Sequence, residues 1–251
     1  MFENSKQFLV VLGLFFSIFF SSCGTLWAAD YRLVTGDLYP PYADQKYPEG
    51  GLAVQIVKRA FAAIGKSVSV EVLPWARGYA LTAKHAYDGT FPYIPTAQRL
   101  ETMQASESFA TITARLWSRA GSAPMHFTTA ALAGKSFCLP LGYGPPASMQ
   151  GLIDRNQLTL YRPFSTEDCL KMVDARHADF LAADVLLVRA VSREIGVTVV
   201  QGDIVHVTSL TLLGSKDAPK TTAMLRDFAA GLARIKADGT YSHIMTQAQP
   251  L

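Results

Sequence analysis

The residues with the clearest chemical potential lie between Asp88 and Phe109, in Asp-Gly-Thr-Phe-Pro-Tyr-Ile-Pro-Thr-Ala-Gln-Arg followed by Leu-Glu-Thr-Met-Gln-Ala-Ser-Glu-Ser-Phe. An apolar, strand-like run ends in a loop punctuated by Pro92 and Pro95, and that loop presents a lone cation, Arg99. A guanidinium is planar and permanently charged, and it grips a carboxylate through two parallel hydrogen bonds. A cation at the end of a buried strand therefore suits an anion site. The alternative is a surface arginine in an ordinary loop.

A second anion-compatible feature is Gly142-Tyr143-Gly144-Pro-Pro, a loop placed just before a helix-like segment. Backbone N–H groups at a helix start can meet an anion, although the same residues also make a plain turn. Other chemistries lack their signatures. There is no nucleophile elbow, no Ser/His/Asp order, no zinc spacing and no phosphate-binding loop. The five histidines are isolated and no Cys-x-x-Cys occurs. The expectation is a protein that binds without catalysing, with no metal and no cofactor.

The elements that must position these residues alternate between strand and helix patterns, which predicts an α/β fold. Tyr31–Thr35 is a strand candidate. A helix over 52–64 places Leu52, Ile56, Val57, Ala60, Phe61 and Ile64 on one face, with Gly65 as its stop. Val68, Val70 and Val72 alternate with polar residues and predict a strand. Pro74 opens a short helix to Lys84, and 88–93 is the next strand. A second round follows, with strands at 136–140, 158–161, 178–182 and 197–200 and helices at 147–155 and 185–195. The sequence Ser165-Thr-Glu-Asp168 predicts a capping box opening another helix. After the apolar run 206–213, a helix from Pro219 carries Leu225, Phe228, Leu232 and Ile235, and a short terminal helix follows Asp238-Gly-Thr-Tyr241.

The 251 residues are 49% hydrophobic, enough to build one large core or two small ones. Net charge is +3 without a cationic run, so there is no argument for nucleic acid. Lys6 and the apolar run from Phe8 to Phe20 predict a secretory signal over residues 1–28. The alternative is a lipoprotein signal ending before Cys23, which would anchor the chain through that cysteine. Either way Cys138 and Cys169 remain. An even count in an oxidising compartment favours a disulfide, the alternative being two buried free thiols.

The order of these segments resembles the family 3 periplasmic solute-binding proteins of polar amino acid uptake. The matching stretches are Thr35-Gly-Asp-Leu-Tyr39-Pro-Pro-Tyr42, Leu73-Pro-Trp75-Ala-Arg77, Thr96-x-x-Arg99, Arg176-His-Ala-Asp179-Phe-Leu-Ala-Ala-Asp184 and Lys236-Ala-Asp-Gly-Thr-Tyr241. The resemblance implies a two-lobed type II periplasmic binding fold, the second lobe inserted in the first, with two hinge crossings near 113–117 and 205–210. Residues 29–114 and 206–251 would form lobe 1, and 115–205 lobe 2.

The resemblance also implies roles. Tyr39, with Tyr42 as second candidate, would stack on the solute, and Trp75 would face it. Trp75-x-Arg77 matches a less characterised branch of the family. Thr96 and Arg99 would hold a carboxylate, and Asp184 an ammonium. Each has a simpler reading: Asp184 as a helix N-cap, Tyr39 and Trp75 as ordinary half-buried aromatics, Arg77 as a surface partner of Glu71 or Asp88. The sequence also departs from the family pattern. Pro92 and Pro95 stand where hydroxyl residues usually donate to the solute, and Tyr93 fills space there. The implied function is capture of a small carboxylate-bearing solute, an amino acid or a relative, by a periplasmic monomer that delivers it to an inner-membrane ABC permease. The alternatives are a sensor for a membrane signalling partner and, on the same fold, a cyclohexadienyl dehydratase-like enzyme.

Overall fold

The structure is a computed structural model and describes residues 29–246. The signal segment, its processing sites and Cys23 lie outside the described residues. The strands are β1 (Tyr31–Thr35), β2 (Val68–Val72), β3 (Gly89–Tyr93), β4 (Met103–Ala105), β5 (Ala110–Arg119), β6 (Lys135–Cys138), β7 (Leu158–Tyr161), β8 (Phe180–Asp184) and β9 (Val199–Ser215). The helices are α1 (Leu52–Ala63), α2 (Trp75–Ala83), α3 (Ala97–Thr102), α4 (Thr129–Leu132), α5 (Ala147–Asp154), α6 (Thr166–Asp174), α7 (Val185–Ile195), α8 (Thr221–Ala237) and α9 (Thr240–Thr246).

The strands line up in the order β2-β1-β3-β9-β5-β8-β6-β7, with β4 also beside β9. β1 pairs in parallel with β2 and β3. Covered on both faces, it buries Leu33 and Val34 completely. β2 lies at the edge, and its burial alternates residue by residue. Phe61 of α1 packs on Tyr31 and Phe228, with centroids 5.2 and 5.7 Å apart, and Phe109 meets Phe228 edge-on at 5.9 Å. α1 and α8 approach so closely that a Cβ on Gly231 would lie 1.9 Å from the Ala60 carbonyl oxygen.

The other half of the sheet has its own core. Phe137 of β6 stacks on Phe180 of β8 at 5.1 Å. Cys138 of β6 is disulfide-bonded to Cys169 of α6, and both are fully buried. Ser165 and Asp168 form the capping box that starts α6. This is the mixed, two-lobed α/β architecture.

Several boundaries differ from those expected. The segment expected at 178–182 forms its strand at 180–184; just ahead of it the Asp179 N–H donates to Ser136 O, and the Asp179 carboxylate accepts from the Ser136 N–H and hydroxyl. The end of the expected strand 197–200 (Val199 and Val200) and the apolar run 206–213 are parts of one 17-residue strand, β9. The polar Gln201-Gly202-Asp203 stretch resembles a break, but its groups are paired. Arg115 donates to the Gly202 carbonyl, Asp203 N–H donates to Met125 O, and the Asp203 carboxylate accepts from Phe127 N–H. β5 and β9 run antiparallel between the two halves of the sheet. Their register shifts on either side of Arg115.

Candidate ligand-binding site

A cavity of about 80 Å³ lies where the two halves meet. Its wall is built from Tyr39 after β1, Trp75 at the start of α2, Tyr93 at the end of β3, Arg99 in α3, and Gly142 and Tyr143 after β6. Pro92, Ile94, Gly144 and Leu210 complete it.

The aromatics form a cage of edges. Trp75 meets Tyr93 at 5.6 Å and Tyr39 at 6.2 Å, with ring planes 82° and 80° apart. Tyr39 meets Tyr143 at 6.1 Å and 85°. Edge-to-face contact between rings is favourable because the positive ring edge meets the negative face. Backbone contacts fix the cage: Trp75 Nε1–H donates to Asp37 O at 2.9 Å, and Tyr93 O–H donates to Trp75 O at 2.8 Å. Burial raises the phenol pKa of Tyr39, Tyr93 and Tyr143, that of Tyr93 to about 12 although Arg99 pulls the other way. All three are neutral hydroxyls at ordinary pH. Among the described residues, Tyr39 is 6% exposed and its hydroxyl has no hydrogen-bond partner.

Arg99 brings the charge. Nη1 donates to Ile94 O at 2.9 Å, and the guanidinium carbon stands 4.8 Å from the Tyr93 ring centroid. None of the ion pairs among the described residues includes it. Burial lowers its pKa, which shows how poorly its surroundings solvate the cation. A guanidinium has five N–H donors, and one bond to Ile94 leaves it open to an acceptor within the cavity.

The other candidates lie off this wall. Thr96 is exposed and caps α3 by accepting from Arg99 N–H, so it positions the helix that carries Arg99. Tyr42 is buried beneath Tyr39, 5.2 Å centroid to centroid. Arg77 is exposed on α2. Asp184 is 5% exposed; Oδ1 accepts from Leu186 and Leu187 N–H, capping α7, and Oδ2 accepts from Thr113 N–H at 3.2 Å. Burial raises its pKa, and these backbone donors oppose the rise. Sequence reasoning missed Ile94 and Leu210. Ile94 could have been suspected from its place between the strand and Arg99, whereas Leu210 gives no signal within an apolar run. Among the described residues, no group of three His, Cys, Asp or Glu side chains could hold a metal ion.

This constellation can hold an anion in an aromatic enclosure. The comparisons agree with a binding role. A family model for the bacterial extracellular solute-binding proteins, family 3, matches residues 31–248. No match was found among curated proteins. Among solved structures, a histidine kinase sensor domain similar to periplasmic binding proteins superposes with a TM-score of 0.74 at 19% identity, covering 87% of this chain and 96% of that one. An amino acid ABC transporter substrate-binding protein from Streptococcus pneumoniae, bound to L-arginine, gives 0.73 at 12%, covering 87% and 93%. An ancestral amino acid-binding protein, a precursor of cyclohexadienyl dehydratase, gives 0.70 at 17%, covering 86% and 94%. At these identities the structures speak for the fold, and the family match speaks for the class. The chain belongs to the family 3 bacterial extracellular solute-binding proteins and is a two-lobed binding protein.

Proposed function

We propose that the protein captures a small carboxylate-bearing solute between its lobes, anchors it on Arg99, and delivers it to an ABC permease. The observation that carries this reading is a half-buried guanidinium on the cavity wall with no carboxylate partner among the described residues. Lobe 1 comprises residues 29–114 and 206–251 and lobe 2 residues 115–205. Movement occurs at the register shifts of β5 and β9 around Arg115. Closure brings Tyr143 against Tyr39 and excludes water, which strengthens the charge contact.

The test is a thermal-shift panel of amino acids, polyamines and organic acids. A solute at 100 times its dissociation constant adds about 2.7 kcal/mol of stability. The Arg99→Ala variant is expected to lose the response to whichever solute binds; an unchanged shift removes Arg99 from the site. A second reading, sensing for a membrane signalling partner, draws support from the sensor-domain likeness. Neighbouring genes for a permease and an ATPase would favour delivery over sensing.

A further inference from the structure

A second cavity, about 530 Å³, adjoins the first and shares Trp75, Gly142 and Tyr143 as walls. Its outer wall is apolar and open to solvent: Leu38, Leu141 and Phe164 are 38%, 54% and 70% exposed, and Leu73, Pro74 and Pro140 also line it. Three large apolar side chains facing water around one hollow suggest an apolar occupant.

The polar groups of this outer chamber are already engaged. Asp37 accepts from Leu38 N–H, Gln45 N–H and Gln45 Nε2–H. Ser165 is tied to Asp168 in the capping box. In the inner cavity the wall has Arg99 and no carboxylate. Asp184, the group that would accept an α-ammonium, is off both walls and takes backbone N–H groups on each oxygen. Pro92 adds no N–H donor. The free Tyr39 hydroxyl can donate to a second oxygen of the anion held by Arg99. Gly142 stands against Trp75, a Cβ there lying 3.4 Å from Trp75 Cβ, and both residues line both chambers, so together they form the lip between them.

From this we infer that the solute is an apolar monocarboxylate without an α-ammonium group, its carboxylate on Arg99 and Tyr39 and its aryl or alkyl arm reaching over the lip formed by Trp75 and Gly142 into the outer chamber. The inference rests on the reading of Arg99 as the anion anchor and narrows it. An α-amino acid would bury its ammonium against aromatic edges and a guanidinium, with no anionic acceptor on the wall.

Titration calorimetry on the full chain, with 3-phenylpropanoate, octanoate, acetate, L-phenylalanine, L-glutamine and L-arginine, decides it. L-Phenylalanine and 3-phenylpropanoate differ only in the ammonium group. The expected result is binding of 3-phenylpropanoate at least tenfold tighter than L-phenylalanine, measurable binding of octanoate, and none of acetate. Arg99→Ala abolishes it. Leu141→Asp and Phe164→Asp, at exposed positions that leave the core intact, weaken it at least fivefold. An amino acid that binds as tightly as 3-phenylpropanoate, and loses its binding in Arg99→Ala, overturns this inference while the anion anchor stands. Affinity for 3-phenylpropanoate that survives both outer-chamber variants overturns the placement of the arm. Silence from every carboxylate, or binding indifferent to Arg99→Ala, removes the inference and the anchor together.

Discussion

The Trp75 indole lies flat against Gly36, so closely that a Cβ on Gly36 would stand 2.0 Å from the ring carbons Cδ2 and Cε2. Gly36 thus sets where the central wall of the cavity stands. Gly36→Ala must push the indole away, breaking its bond to Asp37 O and its edge contacts with Tyr39 and Tyr93. The expected cost in urea denaturation is about 1–3 kcal/mol, typical of overpacking, with at least tenfold weaker solute binding. Gly151→Ala is the control. It lies inside α5, where the added Cβ meets only the flexible end of Arg155, so stability should hold or rise by about 0.4–1 kcal/mol.

Asp184 ties three backbone N–H groups from two elements. Asp184→Ala leaves them without that acceptor and should cost about 1–3 kcal/mol. Asp184→Asn keeps an oxygen for the cap and should cost less than the alanine variant. Chemical denaturation of both variants checks this, and a loss in Asp184→Ala under half of the lower bound rejects the cap as a stabilising feature.

The Cys138–Cys169 bond closes a loop with a sequence separation of 31. Restricting the unfolded chain over that length stabilises the fold by about 3–4 kcal/mol in the loop-entropy account. The Cys138→Ser/Cys169→Ser double variant should lose that much in denaturant melts. A thiol count on the denatured, unreduced protein should find neither of these two cysteines free.

Asp30 accepts from Ser67 N–H, the Ser67 hydroxyl and Lys66 Nζ, which lowers its pKa to about 2. A carboxyl depressed on folding stabilises above its unfolded pKa and loses that contribution as pH falls through the folded value. The melting-temperature gap between the wild type and Asp30→Asn should therefore be constant above about pH 5. It should close progressively between about pH 5 and pH 1, because half of the folded carboxyl is still ionised at about pH 2. A gap undiminished at pH 2 rejects the assignment.

Local patterns carried much of the fold. The Val68, Val70, Val72 alternation, the apolar face of α1 and the Ser165–Asp168 capping box are each specified within a few residues, and the structure has all three. What the sequence hid depends on distant partners. β9 looked like two pieces because Gln201-Gly202-Asp203 is polar, and only the chain at Arg115, Met125 and Phe127 satisfies those groups. α3 looked like a loop because it is six residues long, begun by the Thr96 cap. At the cavity, types and order pointed to Arg99, Tyr39, Trp75 and Tyr143. The sequence offered two uses for Asp184 and could not rank them. Burial and three backbone donors favour the cap, since these bonds need a neighbouring strand that the local sequence does not reveal.

β5 and β9 have a mechanical consequence. Two antiparallel strands bonded along their length behave as a leaf spring: stiff against shear within the ribbon, compliant to bending across it. Such a joint has essentially one soft coordinate. Tyr143 would approach Tyr39 along the same arc in every cycle, whatever solute sits between them. A single spin-label distance across the cleft would then record the whole stroke, and solutes would differ in how long the spring stays bent rather than in the path it follows.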